Sequence, residues 1–398
     1  MDFFEQEARA RRQTRLLIWL FGLSVIVEVV LIYLVLAPFI YSFQHPMTSQ
    51  PWWDPIQLFV SVFFLLGEAL FSPLHFFKLI WNPAIAGWIT LGALLSIALG
   101  CFYKIRRLAG GGPAVAELLG GRRIDSSTAN LDERRLRNVV EEMAIASQMP
   151  VPEVYVLDRE RGINAFAAGH TRDDIAIGIT FGALKLLNRD ELQGIVAHEF
   201  SHILNGDTRL NMRLMGLAHG LFWPTIVGRI LLRGSAEAPE IGESILDDEV
   251  PEINRPLLPL ALFFLLLGSV GSPLVRWMKS LICREREWLA DAAAVQFTRN
   301  PAGIEGALKK IGGLLKQGRL DTPRAEIASH LYFANSAHER WFRFQSTHPP
   351  LAKRIVAIDP AFDGTFPHIH SLPSMDAAFD RVYEQSLERA RAESQTNE

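Results

Sequence analysis

The stretch Asn188-Arg-Asp-Glu-Leu-Gln-Gly-Ile-Val-Ala-His-Glu-Phe-Ser-His-Ile-Leu-Asn205 decides how the rest of the chain is read. Asn188 and Glu191 form a reciprocal pair of the kind that satisfies the free N–H groups at a helix start. Leu192, Ile195, Val196, Ile203 and Leu204 then recur at helical spacing, so the segment is expected to be a helix. Residues four apart lie one turn up the same face, which lets the imidazoles of His198 and His202 reach a single metal ion. Glu199, one position on, projects beside them, within reach of a water that the metal would activate. His-Glu-x-x-His is the spacing of zinc-dependent peptidases. The competing reading is a helix with two surface histidines. The capping pair and the apolar periodicity weigh against it.

A catalytic zinc takes three protein ligands and keeps a fourth position open. Cys101 and Cys283 are the only cysteines, and both lie beside apolar stretches. They cannot build a disulfide framework or a thiolate site. Arg286-Glu-Trp-Leu-Ala-Asp291 is a better source, a helical segment with two carboxylates four apart. Glu287 could bind the metal while Asp291 accepts a ring N–H from a ligating histidine and fixes its tautomer. Taken alone, the same pair reads as a solvated helix face.

Around this centre the chain is made of two materials. Its 398 residues carry 40 Lys plus Arg against 43 Asp plus Glu, a formal charge of −3 that makes no case for nucleic-acid binding. The hydrophobic share of 49 % is ordinary. The positive mean hydropathy of +0.15 is not, and it reflects long apolar runs with at most one charge each. Four are long enough to cross a ~30 Å hydrocarbon core: about 16–41, 79–103, 214–232 and 256–275. For 214–232 a buried core helix is the alternative, because Arg213, Arg229 and Arg233 crowd it. Within it, Gly216 and Gly220 have the spacing of close-packed spans. The run 56–81 holds Glu68 and is read as a re-entrant or interfacial element. Arginines precede the first span, Lys104, Arg106 and Arg107 follow the second, and seven acidic residues fill Glu237–Glu252. The positive-inside rule then places the catalytic segments in the cytoplasm. If the source is bacterial, the membrane is the inner one.

The expected organisation is a membrane region at 1–109, a catalytic first part with the zinc helix at 110–209 and a membrane hairpin at 210–279. A catalytic second part at 280–372 carries the third ligand, and a charged tail closes the chain at 373–398. Gly110-Gly-Gly-Pro113 reads as a linker, and Asn130 with Glu133 opens a helix that Met149-Pro-Val-Pro152 stops. Val154–Leu157, Ala165–Ala168 and Ile175–Ile179 are the strand candidates. Helices outnumber strands. The fold class is therefore α+β: a mainly helical, zincin-like catalytic domain with a small sheet, attached to about four transmembrane helices.

Five ordered stretches carry a family resemblance: Met149-Pro-Val-Pro-Glu-Val-Tyr-Val156, Asn164-Ala-Phe-Ala-Ala-Gly169, His198-Glu-Phe-Ser-His202 with Asn205-Gly-Asp207, Glu287-Trp-Leu-Ala-Asp291, and Ser346-Thr-His-Pro-Pro350. Over about residues 130–356 the chain resembles the membrane-bound zinc endopeptidases of the HtpX type, related to the CAAX prenyl proteases. The resemblance implies one Zn2+ per chain, with His198, His202 and Glu287 as ligands and Glu199 as the catalytic base. It implies that Asn164, Ala165, Phe166, Ala167, Ala168 and Gly169 form the edge strand that holds an extended peptide substrate. His348 falls near the active site, either donating to the developing oxyanion or supporting the fold. The chain departs from shorter members in the loop 42–82 and the acidic loop 237–252.

The expected activity is hydrolysis of peptide bonds by metal-activated water, in quality control of misfolded membrane proteins. No Gly-x-x-x-x-Gly-Lys-[Ser/Thr] loop is present, so no ATP-driven motor is expected, and substrates should arrive unfolded or from the bilayer. A narrow-specificity processing protease of the prenyl-protease kind is one alternative. A catalytically inactive membrane adaptor is another, against which the complete set of ligands and base argues.

Overall fold

A computed structural model describes residues 3–44, 65, 67–68, 70–233, 258–314, 332–333 and 348–367. The chain opens with helices α1 (Phe3–Gln44), α2 (Pro73–Ile80) and α3 (Pro83–Arg107). Next come α4 (Gly111–Leu118), β1 (Arg122–Arg123), α5 (Leu131–Ser147), β2 (Glu153–Leu157), β3 (Ala165–Ala168) and β4 (Ala176–Thr180). The chain continues with α6 (Phe181–Leu186), α7 (Arg189–Leu204), α8 (Asp207–Arg233), α9 (Leu258–Thr298), α10 (Pro301–Gly313) and α11 (Leu351–Ile358).

Among the described residues, three helical stretches are long and apolar enough to cross a membrane: Arg15–Leu34, Pro83–Arg107 and Asp207–Leu232. They fall on three of the four expected spans. The fourth, 256–275, becomes from Leu258 the first half of α9. That helix does not stop at the end of the apolar run. Its 41 residues make a rod about 60 Å long at 1.5 Å per residue. The rod runs on past the apolar segment and carries Glu287 and Asp291. Of the run 56–81, the end is α2, whose 8 residues are too few to cross a bilayer. Residues 56–64, the loop 237–252 and the tail 376–398 lie outside the described residues.

Local sequence explains how these helices start and meet. The Asn82 side chain accepts from the N–H groups of Ala84 and Ile85, and Pro83 takes the first helical position of α3. The Tyr33 hydroxyl accepts from the Asn82 N–H at 2.9 Å, which ties α1 to that start. Outward, α3 exposes Trp88, Leu91, Leu95, Leu99 and Phe102, the surface a lipid-facing helix needs. Inward, it crosses α8 closely through small residues. A Cβ added at Gly220 would lie 2.7 Å from the Ile97 carbonyl, and one at Gly100 would lie 2.7 Å from Trp223 Cβ. The Gly216–Gly220 spacing is part of this crossing.

The sheet has the order β1-β2-β4-β3. The β1–β2 and β3–β4 pairs are antiparallel, whereas β2 and β4 run parallel, with Val156 opposite Ile179. Both faces are covered, so the strands read as unbroken apolar runs. Val154, Val156, Ala165, Ala167, Ile177 and Ile179 face the core of α5, α7 and α10. Tyr155, Leu157, Phe166, Ala168 and Ala176 face α4, α3 and α8, which seats the sheet directly on the long apolar helices.

Gly110–Pro113, expected as a linker, instead opens the packed helix α4. A Cβ at Gly112 would fall 2.3 Å from the Ala168 carbonyl, and the Gly112 N–H donates to Asp174 at 2.9 Å. These glycines serve close approach to the sheet. The helix after Asn130 forms as expected, with Asn130 capping the N–H groups of Asp132 and Glu133.

Candidate metal centre

Helix α7 starts with the full reciprocal capping box of Asn188 and Glu191. It is buried along most of its length because it lies between β3, α5, α9 and α10. At Gly194 it approaches the α10 backbone so closely that a Cβ would sit 2.5 Å from the Ile304 nitrogen. This packing fixes the rotation of the helix and turns His198 and His202 toward α9.

There the three groups converge. The Nε2 atoms of His198 and His202 are 3.1 Å apart. Glu287 Oε1 lies 3.5 Å from His202 Nε2, and Oε2 lies 3.7 Å from His198 Nε2. One ligand atom from each residue lies within 4.8 Å of the others. Two nitrogens on a tetrahedral zinc with bonds near 2.0–2.1 Å stand roughly 3.3 Å apart, so the spacing fits the ion. The backing fits too. His198 Nδ1 is 2.9 Å from Asp291 Oδ1, and His202 Nδ1 is 2.9 Å from Asp207 Oδ2. A carboxylate on each Nδ1 leaves each Nε2 lone pair for a metal.

Behind these carboxylates stand two arginines that the sequence did not single out. Arg354 of α11 is fully buried and donates to Asp291 Oδ2 through Nε at 2.8 Å and to Oδ1 through Nη2 at 2.6 Å. Its Nη1 lies 3.3 Å from Glu287 Oε2. Arg286 Nη1 lies 3.3 Å from Asp207 Oδ1. His348 is buried with Nδ1 3.0 Å from Glu287 Oε2.

Burial and charge set opposite demands on these groups. Burial pushes the Glu199 carboxyl up to about 8, and its Oε1 has no hydrogen-bond partner among the described residues. Burial brings the His198 imidazole down to about 4 against the opposing pull of Asp291. For His202, burial is outweighed by Asp207 and Glu287, and the ring rises to about 10. Burial would raise Glu287, yet His348 and Arg354 hold it well below the usual carboxylate range. Two rings and a glutamate so placed could hold a divalent cation.

Asn164–Gly169 lies beside this centre as β3 and its flanks. The Asn164 N–H donates to Thr180 Oγ1 at 2.9 Å, and the Asn164 Oδ1 accepts from the Ala165 N–H at 3.0 Å. The Ala167 N–H reaches the Glu199 carboxylate. The outer edge of β3 is not bare. Phe166 forms an antiparallel bridge with Tyr332, and the Phe333 N–H donates to the Ala165 carbonyl at 2.9 Å.

A helix-borne His-Glu-x-x-His, joined by a glutamate from a second helix and backed by carboxylates, is a group that could hold a metal ion. Comparison with known proteins gives the family. The profile of peptidase family M48 matches residues 130–361. A "Protease HtpX homolog" of Streptococcus uberis is 32 % identical over 288 residues, covering 70 % of this chain and 91 % of that protein. The protein of the same name from Thermoanaerobacter pseudethanolicus is 31 % identical over 300 residues, covering 75 % and 91 %. A crystal structure of Ste24p from S. mikatae shows a loose likeness, with a TM-score of 0.35 and 17 % identity over 75 % of this chain and 61 % of that one. The chain belongs to peptidase family M48, and it is a membrane metalloendopeptidase of the HtpX type.

Proposed function

We propose that the protein is an integral-membrane zinc endopeptidase in which His198, His202 and Glu287 hold the metal and Glu199 is the general base. The observation that carries this reading is the meeting of three candidate ligand atoms within 4.8 Å of one another, with a buried carboxyl oxygen of Glu199 that has no hydrogen-bond partner among the described residues. When bound, zinc supplies Lewis acidity, polarising the scissile carbonyl and acidifying water. Glu199 takes the proton of the attacking water and delivers it to the leaving amine, which frees its carboxylate for the next cycle. Asp291 and Asp207 hold the two rings in the tautomer that presents Nε2. His348, on Glu287, steadies that ligand through Nδ1, and donation to the oxyanion would fall to its other nitrogen. Asn164–Gly169 receives an extended peptide by strand addition.

The substrates in this reading are unfolded polypeptides and misassembled membrane proteins, cut at the cytoplasmic face of a bacterial inner membrane. In this reading 110–209 and 280–372 form one catalytic unit around a hairpin at 210–279, which would set that unit next to the bilayer. Purified protein in detergent should cleave unfolded casein, lose that activity to a strong zinc chelator and regain it on zinc addition. A zinc-loaded preparation that leaves casein intact refutes the proposal. For orientation, a reporter fused after Glu243 should behave as exported, since the acidic loop faces away from the arginine-flanked side. A cytoplasmic signal there inverts the topology.

A further inference from the structure

β3 has two edges, and one is paired with β4 along Ala165–Ala168. The other is the edge assigned above to substrate, and the chain itself is already on it. Tyr332 stands opposite Phe166, and the Phe333 N–H holds the Ala165 carbonyl at 2.9 Å. An edge presents one row of N–H and C=O groups and cannot pair with two strands at once. Both residues are only 1 % exposed, so the two are seated against β3 and do not merely brush it.

The seat is specific. The Phe333 carbonyl accepts from Arg354 Nη1 at 3.0 Å, and the guanidinium lies 4.7 Å over the Phe333 ring. The ring meets His198 edge-on at 4.7 Å, so the segment reaches a candidate metal ligand. Tyr332 packs edge-on against Phe166 at 5.7 Å. One feature opposes this closure. The Tyr332 hydroxyl is buried with no hydrogen-bond partner among the described residues, a standing cost that departure to water would remove. Arg354 binds Asp291 through Nε and Nη2 but Phe333 through Nη1, so release of the strand leaves the Asp291 bonds intact.

We propose that Tyr332–Phe333 is an internal stand-in for substrate, filling the strand position beside β3, and that an extended peptide is bound only by displacing it from its Arg354 latch. The inference rests on the reading of β3 as the substrate strand and adds that the resting enzyme is closed. The apparent affinity for a peptide is then reduced by the fraction of time the edge is free.

Hydrogen exchange at the Phe333 amide in zinc-loaded Glu199→Gln protein tests it. Its protection should be lost on saturation with casein; protection unchanged with casein bound overturns the proposal. Failure of zinc-loaded wild type to cleave casein at all is a different result, which removes the protease reading and this inference together.

Discussion

Glu199→Gln should yield a protein that folds, holds zinc and leaves unfolded casein uncut. The two side chains have the same shape, and Glu199 is not among the three groups whose atoms converge for a metal. What changes is the capacity to take a proton. General-base catalysis is worth about 10²–10⁴-fold, so the expected fall in turnover is of that order or larger. Folding should not suffer. Glu199 is 1 % exposed, and burial pushes its carboxyl up to about 8, so ionising it in this site is costly. A neutral amide escapes that cost. The measurements are zinc per chain, melting temperature and initial rate of casein cleavage. A wild-type rate in the variant removes Glu199 from the reaction, whereas loss of zinc would place it in the ligand set.

Glu287→Ala should fail differently, losing metal first and stability with it. The glutamate is the anionic partner of His202, His348 and Arg354 at 3.5, 3.0 and 3.3 Å. Arg354 keeps Asp291, but its charge is no longer fully balanced inside the protein. Breaking a buried charge pair from one side costs roughly 3–5 kcal/mol. The zinc content should fall to background and the melting temperature should drop even without metal. Glu287→Gln separates the two effects, because it keeps the volume and removes the charge. Unchanged zinc stoichiometry in Glu287→Ala would exclude this residue as a ligand.

Much of the centre was legible because its determinants are local. Asn188 and Glu191 announce a helix start within four residues of each other, and His198 and His202 announce their shared face by spacing alone. The strand Ala165–Ala168 was readable as a short apolar run with a glycine at its end. Asp291 could be paired with a ring because it stands one helical turn from Glu287. The remainder depends on distances that spacing does not encode. Arg354 lies 63 residues beyond Asp291 in sequence, and nothing around Leu351–Ile358 signals that a guanidinium must be buried there. Asp207 was visible as part of a stretch, but its contact with the His202 ring needs the break at Asn205–Gly206 that turns α7 into α8. Gly110–Pro113 misled for a related reason. Glycines suit both a flexible connection and a tight approach, and only the sheet beneath α4 distinguishes the two. The cover on β3 was the least readable, since two residues, Tyr332 and Phe333, carry it without any strand-length pattern.

The unbroken course of α9 has a mechanical meaning. From the middle of its apolar opening half to Glu287 is about 30 Å along a helix rising 1.5 Å per residue. A tilt of about 5° at the apolar end would move the glutamate sideways by about 3 Å if the helix stayed straight. Metal ligation tolerates about 0.2 Å. The helix therefore needs a bearing close to Glu287, the ligand proposed above, and its packing along α1 and α8 supplies one, which leaves the arm that reaches the glutamate short. Leu17, Leu20, Leu210, Leu214, Met278 and Cys283 are that bearing's contact surface. Apolar side chains that touch no reacting atom thus set its alignment, as the mounting of an instrument sets its aim.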